Sequence, residues 1–393
     1  MSRKVVIVGG ARTPQGRLLG QLAALSAVEL GTHAVKAAVQ SAGVEPAAVE
    51  GLIMGQVLQA GCGQNPAKQV AVAAGLGMDT WAETVNKVCL SGLLAITLGA
   101  RAIRAGDAEL LVVGGMESMT NAPHLARVRG GVKYGPSALE DVVARDGLDD
   151  AASGVSMGVL TEGGTVERSI SREAQDEAAA LSHQRAAAAQ TDGVFADEIA
   201  PVTIPQRKGA PLVLDADEGV RADTTVESLA GLRPAFSKDG SITAGNSSPI
   251  SDGAAALVIC SAEYAEANGL EVWAEVGAPG QVAGPDTQLH EQPARAIENA
   301  LQRAGWALED LDFIEVNEAF GAVVAASATA LGYPLEKTNV HGGAIALGHP
   351  IGASGARVAL HAALELRRRG AGKAAVSLCG GGGQGEALLL SRD

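Results

Sequence analysis

Two thiols, one imidazole and one carboxamide stand where this sequence changes direction, and each has chemistry to offer there. Cys89 follows a strand-like stretch at 83–85 and precedes an Ala/Leu/Ile-rich helical run over 91–105. Free N–H groups and the helix dipole at such a junction favour a thiolate, hence a nucleophile. Taken alone, a cysteine beside an apolar helix is more often a small core residue. His349 sits between Gly348 and Pro350 in a glycine-rich segment, 342–355, that opens a helix. Pro350 fixes its own backbone and restricts His349, and a rigid imidazole suits general-base work. The competing reading is a phosphate cradle, but the spacing is neither a P-loop nor GxGxxG after an early strand. Cys379 ends a buried strand and meets four glycines, 380–383. Bare N–H groups beside a thiol would furnish an oxyanion hole; a tight turn between strands is the plainer reading. Asn317, at a strand-to-helix junction, serves as an N-cap, as a holder of a water or substrate oxygen, or as both. Cys62 and Cys260 have no nearby base and read as structural.

Elements must bring these groups together. Apolar runs at 5–9, 52–58, 83–85, 109–113, 254–260, 272–276, 311–316 and 374–379 read as strands. Helical spacing appears at 26–42, 65–74, 91–105, 292–304, 319–331 and 353–369, with Ser26 as an N-cap and Gly43 as a helix stop. Such alternation predicts an α/β chain with a mostly parallel sheet covered on both faces. The middle, 120–246, carries most charge runs and few strand signals, as in an inserted loop-rich unit. One long helix is expected there at 171–191, with Glu173, Asp176 and Glu177 near the positive end of its dipole.

Residues 42–54 match 304–316 at a constant spacing of 262. Cys89-Leu-Ser-Gly, helix, strand, Gly114-Gly115 likewise parallels Ile351-Gly-Ala-Ser-Gly, helix, strand, Cys379-Gly-Gly. Two copies of one unit flanking the insert would converge their strand ends on one crevice. There, one thiol would carry an acyl group and the other would move a proton, a division of labour that fits carbon–carbon bond formation between thioesters.

Composition narrows the classes. The 393 residues are 47% hydrophobic and 3% aromatic with 51 glycines, so the core must pack small aliphatic side chains. A net charge of −14 argues against nucleic-acid binding. No apolar run approaches the ~20 residues of a membrane span, so no membrane is expected. The strand-like start leaves no room for a leader. Four cysteines without CxxC spacing suit a reducing cytoplasm and exclude a cysteine-cluster zinc site.

Together these motifs resemble those of the thiolases, over essentially the whole chain. Asn86-Lys87-Val88-Cys89-Leu90-Ser91-Gly92 is similar to the family's nucleophile motif, followed by Gly114-Gly115-Met116-Glu117-Ser118-Met119. Thr243 to Ser248, with Asp252-Gly253-Ala254-Ala255-Ala256, resembles its CoA-side signature. Asn317-Glu318-Ala319-Phe320, Gly348-His349-Pro350 and Cys379-x-Gly381-Gly382 complete the set. The resemblance implies an α/β, five-layered thiolase-like fold of two duplicated halves with an inserted loop domain. The halves would be 1–119 (completed by 247–270) and 271–393, and the insert, 120–246, would bind CoA. By the same resemblance, Cys89 is the nucleophile, His349 activates it, and Cys379 moves the α-proton. Asn317 would hold a water that, with His349, stabilises the enolate oxygen; N–H groups of Cys89 and Gly381 would stabilise the tetrahedral oxyanion. Arg221, Ser228, Phe236, Ala244 and Ser248 are implied CoA contacts, with Leu148, Met157, Leu289 and Phe320 along the pantetheine and acyl path.

The implied reaction is the reversible Claisen condensation of two acetyl-CoA to acetoacetyl-CoA plus CoA, with CoA as substrate and product and no resident cofactor or metal. A homotetramer built as a dimer of dimers is implied as well. The alternative is thiolysis of longer 3-ketoacyl-CoA chains; a non-catalytic acyl-CoA or lipid binder is more remote, because all four reactive groups are present. Decarboxylating ketosynthases use Cys-His-His or Cys-His-Asn, in which a second thiol has no place. This chain departs from short-chain members at Ser156–Gly163, at Leu289 where Met is common, and at Leu90 and Gly380 beside the thiols. These departures bear on acyl length and remove no reactive group. Because CoA is polyanionic, a local basic patch is expected, from Arg207, Lys208 and Arg221.

Overall fold

The computed structural model describes residues 3–206 and 208–393; Arg207 lies outside them. In chain order the strands are β1 (Val5–Arg12), β2 (Gly16–Arg17), β3 (Gly51–Gly55), β4 (Trp81–Val85), β5 (Leu110–Ser118), β6 (His124–Leu125), β7 (Glu140–Asp141), β8 (Val202–Ile204), β9 (Leu212–Leu214), β10 (Ser251–Ser261), β11 (Ala274–Ala283), β12 (Phe313–Val316), β13 (Gly372–Gly380) and β14 (Gln384–Arg392). The helices are α1 (Ala27–Ala42), α2 (Pro66–Ala74), α3 (Ser91–Ala105), α4 (Met157–Glu167), α5 (Arg172–Thr191), α6 (Val226–Ala230), α7 (Ala262–Ala267), α8 (Gln292–Ala304), α9 (Gly321–Leu331), α10 (Ala344–Leu347) and α11 (Ser354–Arg369).

Local chemistry sets the boundaries. Ser26 and Glu29 form a capping box at the start of α1, and Gly43 ends the helix at φ 67. Gly305 ends α8 in the same way, at φ 69. Each helix is followed by a 3₁₀ turn (Pro46–Ala48, Leu308–Asp310) and a strand, β3 or β12. The sequence repeat is therefore a structural repeat.

The large sheet runs β12-β13-β14-β11-β1-β10-β5-β3-β4. From β1 outward the order is β10, β5, β3, β4; from β11 outward it is β14, β13, β12, and Ile314 of β12 then bridges Thr338. The two series meet where β1 pairs β11. The expectation of a mostly parallel sheet needs correcting. Only β3 with β4 and β5, and β12 with β13, are parallel; β1–β10, β10–β5, β1–β11, β11–β14 and β13–β14 are antiparallel. The reason is connectivity: β14 turns straight back from β13 with no crossover helix, and a direct return is antiparallel.

Strand residues alternate between cores. Val5, Ile7, Leu257 and Ile259 face α3 and α11, together with Val376, Leu378, Leu388 and Leu390 from the other half. Val6, Val8 and Val258 face α1 and α2, while Ile314, Ala375, Ala387 and Leu389 face α8. Five layers result, with α3 and α11 in the middle. A side chain on Gly92 or Gly355 would strike the backbone of the opposite helix at Ala356 or Leu93. This close approach sets the start of α3, after Cys89, against the start of α11, after His349. The reading that no apolar run approaches membrane-span length also needs amending. Residues 88–105 are long and apolar enough by length and composition, but 61% of the segment is buried in this central layer.

The insert holds the β6–β7 and β8–β9 ladders and α4 to α6. Asp176 is not simply a dipole partner. It is buried, bonds Arg172, and accepts from Asn246 Nδ2 at 2.8 Å, clamping α5 to the 243–248 loop.

Candidate active site

Between β4 and α3 the chain makes a strained turn. Val88, a β-branched residue, has φ +51, a conformation that costs on the order of 1–3 kcal/mol and persists only where neighbours enforce it. Here Asn86 Oδ1 accepts from Val88 N at 2.9 Å, and Ser91 Oγ accepts from Lys87 N at 2.8 Å while donating to Val88 O at 2.6 Å. The turn delivers Cys89 to a cavity. The helix-start argument predicts a thiolate, and the structure reverses it: burial pushes the Cys89 thiol up to about 12. Its own N–H and that of Gly381 face the sulfur and oppose the rise without cancelling it. At rest Cys89 is a thiol and needs a base.

His349 lines the same cavity. Ser354 Oγ donates to Pro350 O at 3.0 Å, so its lone pair, 2.6 Å from His349 Nδ1, accepts the Nδ1 proton. Nε2 is left as the basic nitrogen. Burial, helped by the Arg357 charge, brings the imidazole down to about 3, so it is neutral. Its loop is held by Ser251 Oγ, which accepts from His349 N at 3.1 Å, and by Glu117, which accepts from Gly352, Val57 and Leu58 N–H groups at 3.0–3.1 Å. Burial raises that Glu117 carboxyl to about 7.

Asn317 follows β12 and places Nδ2 3.5 Å from both ring nitrogens of His349, while its Oδ1 is buried without a partner. It does not line the cavity. Cys379 lies near the end of β13. Burial raises its thiol well above the usual range, and the nearby Cys89 charge raises it further. The turn to β14 runs through Gly382 and Gly383 at φ 76 and 65; a side chain on Gly383 would also hit the Asp286 carbonyl. That turn is what presents the Gly381 N–H.

Cys89, His349, Cys379 and Gly381 line one cavity of about 210 Å³, walled by Leu148, Met157, Phe236, Ser248, Leu289 and Phe320. Phe236 meets Phe320 edge-on at 6.1 Å, and Ser248 is fixed on Ala319 O through both its N–H and its hydroxyl. Ser247, Pro249 and Ile250 are shared with a second, outer groove that holds Ala244, Arg221, Arg17 and His183. Ser228 is not on either wall. Its hydroxyl closes the capping box of α6, and Leu229 lines the groove instead. Lys208 does not line it. Sequence reading missed Arg17 and His183, which arrive from separate segments with no shared motif. Burial and the charges of Arg221 and Arg17 bring His183 down to about 4, and it is these two arginines that make the outer groove a basic end.

Two duplicated halves that place two thiols, a neutral imidazole and paired N–H donors on one narrow cavity define a cysteine acyltransferase. The chain belongs to the thiolase family: the thiolase N-terminal domain matches residues 5–263 and the thiolase C-terminal domain residues 270–392. It is 56% identical over 388 residues to a probable acetyl-CoA acetyltransferase of Mycolicibacterium smegmatis, covering 98% of this chain and 100% of that relative. The crystal structure of the Bacillus anthracis acetyl-CoA acetyltransferase matches with TM-score 0.96 at 39% identity, over 99% of each chain. That of human mitochondrial 3-ketoacyl-CoA thiolase matches with the same TM-score and identity, over 100% of this chain and 99% of that one. Backbone shape is thus common to an acetyl-CoA acetyltransferase and a 3-ketoacyl-CoA thiolase.

Proposed function

We propose that this chain is an acetyl-CoA C-acetyltransferase that condenses two acetyl-CoA to acetoacetyl-CoA and CoA and runs the reverse thiolysis. The observation that carries the reading is the shared cavity of Cys89, His349 and Cys379 with its apolar approach. His349 Nε2 takes the Cys89 proton as sulfur attacks the thioester carbonyl, then returns it to the departing CoA thiolate. N–H groups of Cys89 and Gly381 hold the oxyanion. His349 Nε2, free again, takes the proton of Cys379, which as thiolate removes the α-proton of a second acetyl-CoA; the resulting carbanion attacks the acyl carbon and expels Cys89, and His349 returns the proton to the Cys89 sulfur. Asn317 orients His349 and, through a water, supports the enolate oxygen. CoA is substrate and product, with no resident cofactor, and the setting is cytoplasmic. The β6–β7 arm exposes Val128, Val132, Tyr134 and Leu139, apolar surface that assembly into a homotetramer would cover.

Leu148, Met157, Leu289 and Phe320 wall a cavity of only about 210 Å³ around the two thiols, which supports a short chain. Steady-state thiolysis across 3-ketoacyl-CoA lengths tests this: kcat/KM should peak with acetoacetyl-CoA and fall as carbons are added. A maximum at eight carbons or beyond would replace the reading with long-chain thiolysis.

The outer groove supports a second expectation. Arg221 is exposed there, far from the thiols, so it should contribute uniform binding, worth about 1 kcal/mol or several-fold in KM. Arg221→Ala should raise KM for CoA thioesters with kcat nearly unchanged, and behave as wild type with truncated pantetheine thioesters. Equal impairment on both substrates would mean a structural role.

A further inference from the structure

The two oxyanion donors come from different halves of the molecule. The Cys89 N–H belongs to the turn after β4, and the Gly381 N–H to the turn between β13 and β14. Their separation is therefore set by how these two turns are held against each other. Two residues before Cys89, Lys87 crosses the boundary: its Nζ lies 2.8 Å from Glu386 Oε2. Glu386 stands on β14, paired with Leu378 and so beside Cys379 in the ladder. Its side chain is fully buried, and that of Lys87 is 19% exposed. The other carboxylate oxygen accepts from Thr97 Oγ1 on α3 and from Gln281 Nε2 on β11, both at 3.2 Å. Glu386 thus gathers the nucleophile turn, the helix it opens, and the second-half sheet onto one buried carboxylate.

We propose that Lys87 and Glu386 are positioning residues that set the Cys89 N–H against the Gly381 N–H and so tune the oxyanion hole. Neither lines the cavity. The ion pair acts on the strained Val88 peptide, because Lys87 N is itself bonded to Ser91 Oγ and so moves with the turn. Breaking such a pair by removing the lysine leaves a buried charge uncompensated and costs stability; neutralising both members relieves that cost. Stability and hole geometry can therefore be separated experimentally.

The inference rests on Cys89 being the acylated residue, and the experiment keeps the two apart. Two rates are read in the full-length protein: Cys89 acylation by acetyl-CoA, by rapid-quench intact mass, and Cys89 alkylation by iodoacetamide, a displacement that uses no oxyanion hole. If wild type forms no Cys89 acyl-enzyme, the functional reading itself fails. If it does, Lys87→Met should slow acylation about 10-fold or more, the lower end of what one misplaced donor costs being larger still. Alkylation should stay within about twofold, and KM should change little. Lys87→Arg should recover most of the rate. Lys87→Met with Glu386→Gln should recover the melting temperature lost in Lys87→Met but not the acylation rate. Acylation at the wild-type rate in Lys87→Met overturns the proposal. So does its recovery in the neutral double variant, and so does parallel loss of acylation and alkylation with no rescue by arginine, which marks a packing role.

Discussion

Cys89→Ala should abolish acyl transfer in both directions, by about 10³-fold or more in kcat. The magnitude follows from what lines the cavity. The other thiol there, Cys379, is raised by burial well above the usual range, and the remaining walls are largely apolar. Nothing else is placed to carry the acetyl group. Iodoacetamide should label Cys89 first in the wild type, and prior acetyl-CoA should protect it by acylation. Because burial pushes the Cys89 thiol up to about 12, little of it is thiolate at neutral pH. Reactivity must then depend on the neutral His349, so His349→Asn should slow alkylation as well as acylation. Stoichiometric acyl-enzyme in Cys89→Ala, seen by intact mass, would sink the assignment.

What could be read in the sequence was what depends on near neighbours. Ser26 with Glu29, and Gly43 three residues before the next 3₁₀ turn, are local signals, and the helix ends fall where they point. The repeat was visible because the same local signals recur 262 residues later, at Gly305 and Leu308–Asp310. Motif order brought Cys89, His349, Cys379 and Gly381 to one candidate site, and one cavity does hold them. What could not be read depends on distant partners. Antiparallel pairing of β1 with β10 joins residues about 250 positions apart and leaves no mark in either strand's own pattern. β14 was not among the strands read, although a tight turn between strands was the plainer reading of glycines 380–383; its antiparallel return along β13 shows only in the fold. A helix start argues for a thiolate at Cys89, but burial outweighs it. Ser228 was implied as a CoA contact by the resemblance alone, and its hydroxyl is used locally in a capping box. Arg17 and His183 reach the outer groove from separate parts of the chain, so only the fold shows that they share it with Arg221.

Cys379→Ser should accept an acetyl group on Cys89 and then stop. The structure gives a reason for this order of events. The Cys379 thiol is raised first by burial and then by the negative charge of Cys89. While Cys89 is a thiolate, a second thiolate beside it is disfavoured by like-charge repulsion. Acylation locks Cys89 as a neutral thioester, so that repulsion cannot arise while Cys379 takes the α-proton. A buried thiolate with so raised a pKa is also a strong base, suited to a weakly acidic Cα–H, and in thiolysis the corresponding thiol is a proton donor that stays loaded at neutral pH. A serine hydroxyl at this position is far too weak an acid to take the thiolate's part. Acylation of Cys379→Ser, measured by intact mass with acetyl-CoA, should therefore proceed at close to the wild-type rate. Condensation to acetoacetyl-CoA should fall by about 10³-fold or more, and exchange of the acetyl-CoA methyl protons with deuterated solvent should fall with it. Loss of acylation with proton exchange retained would reverse the roles of the two thiols.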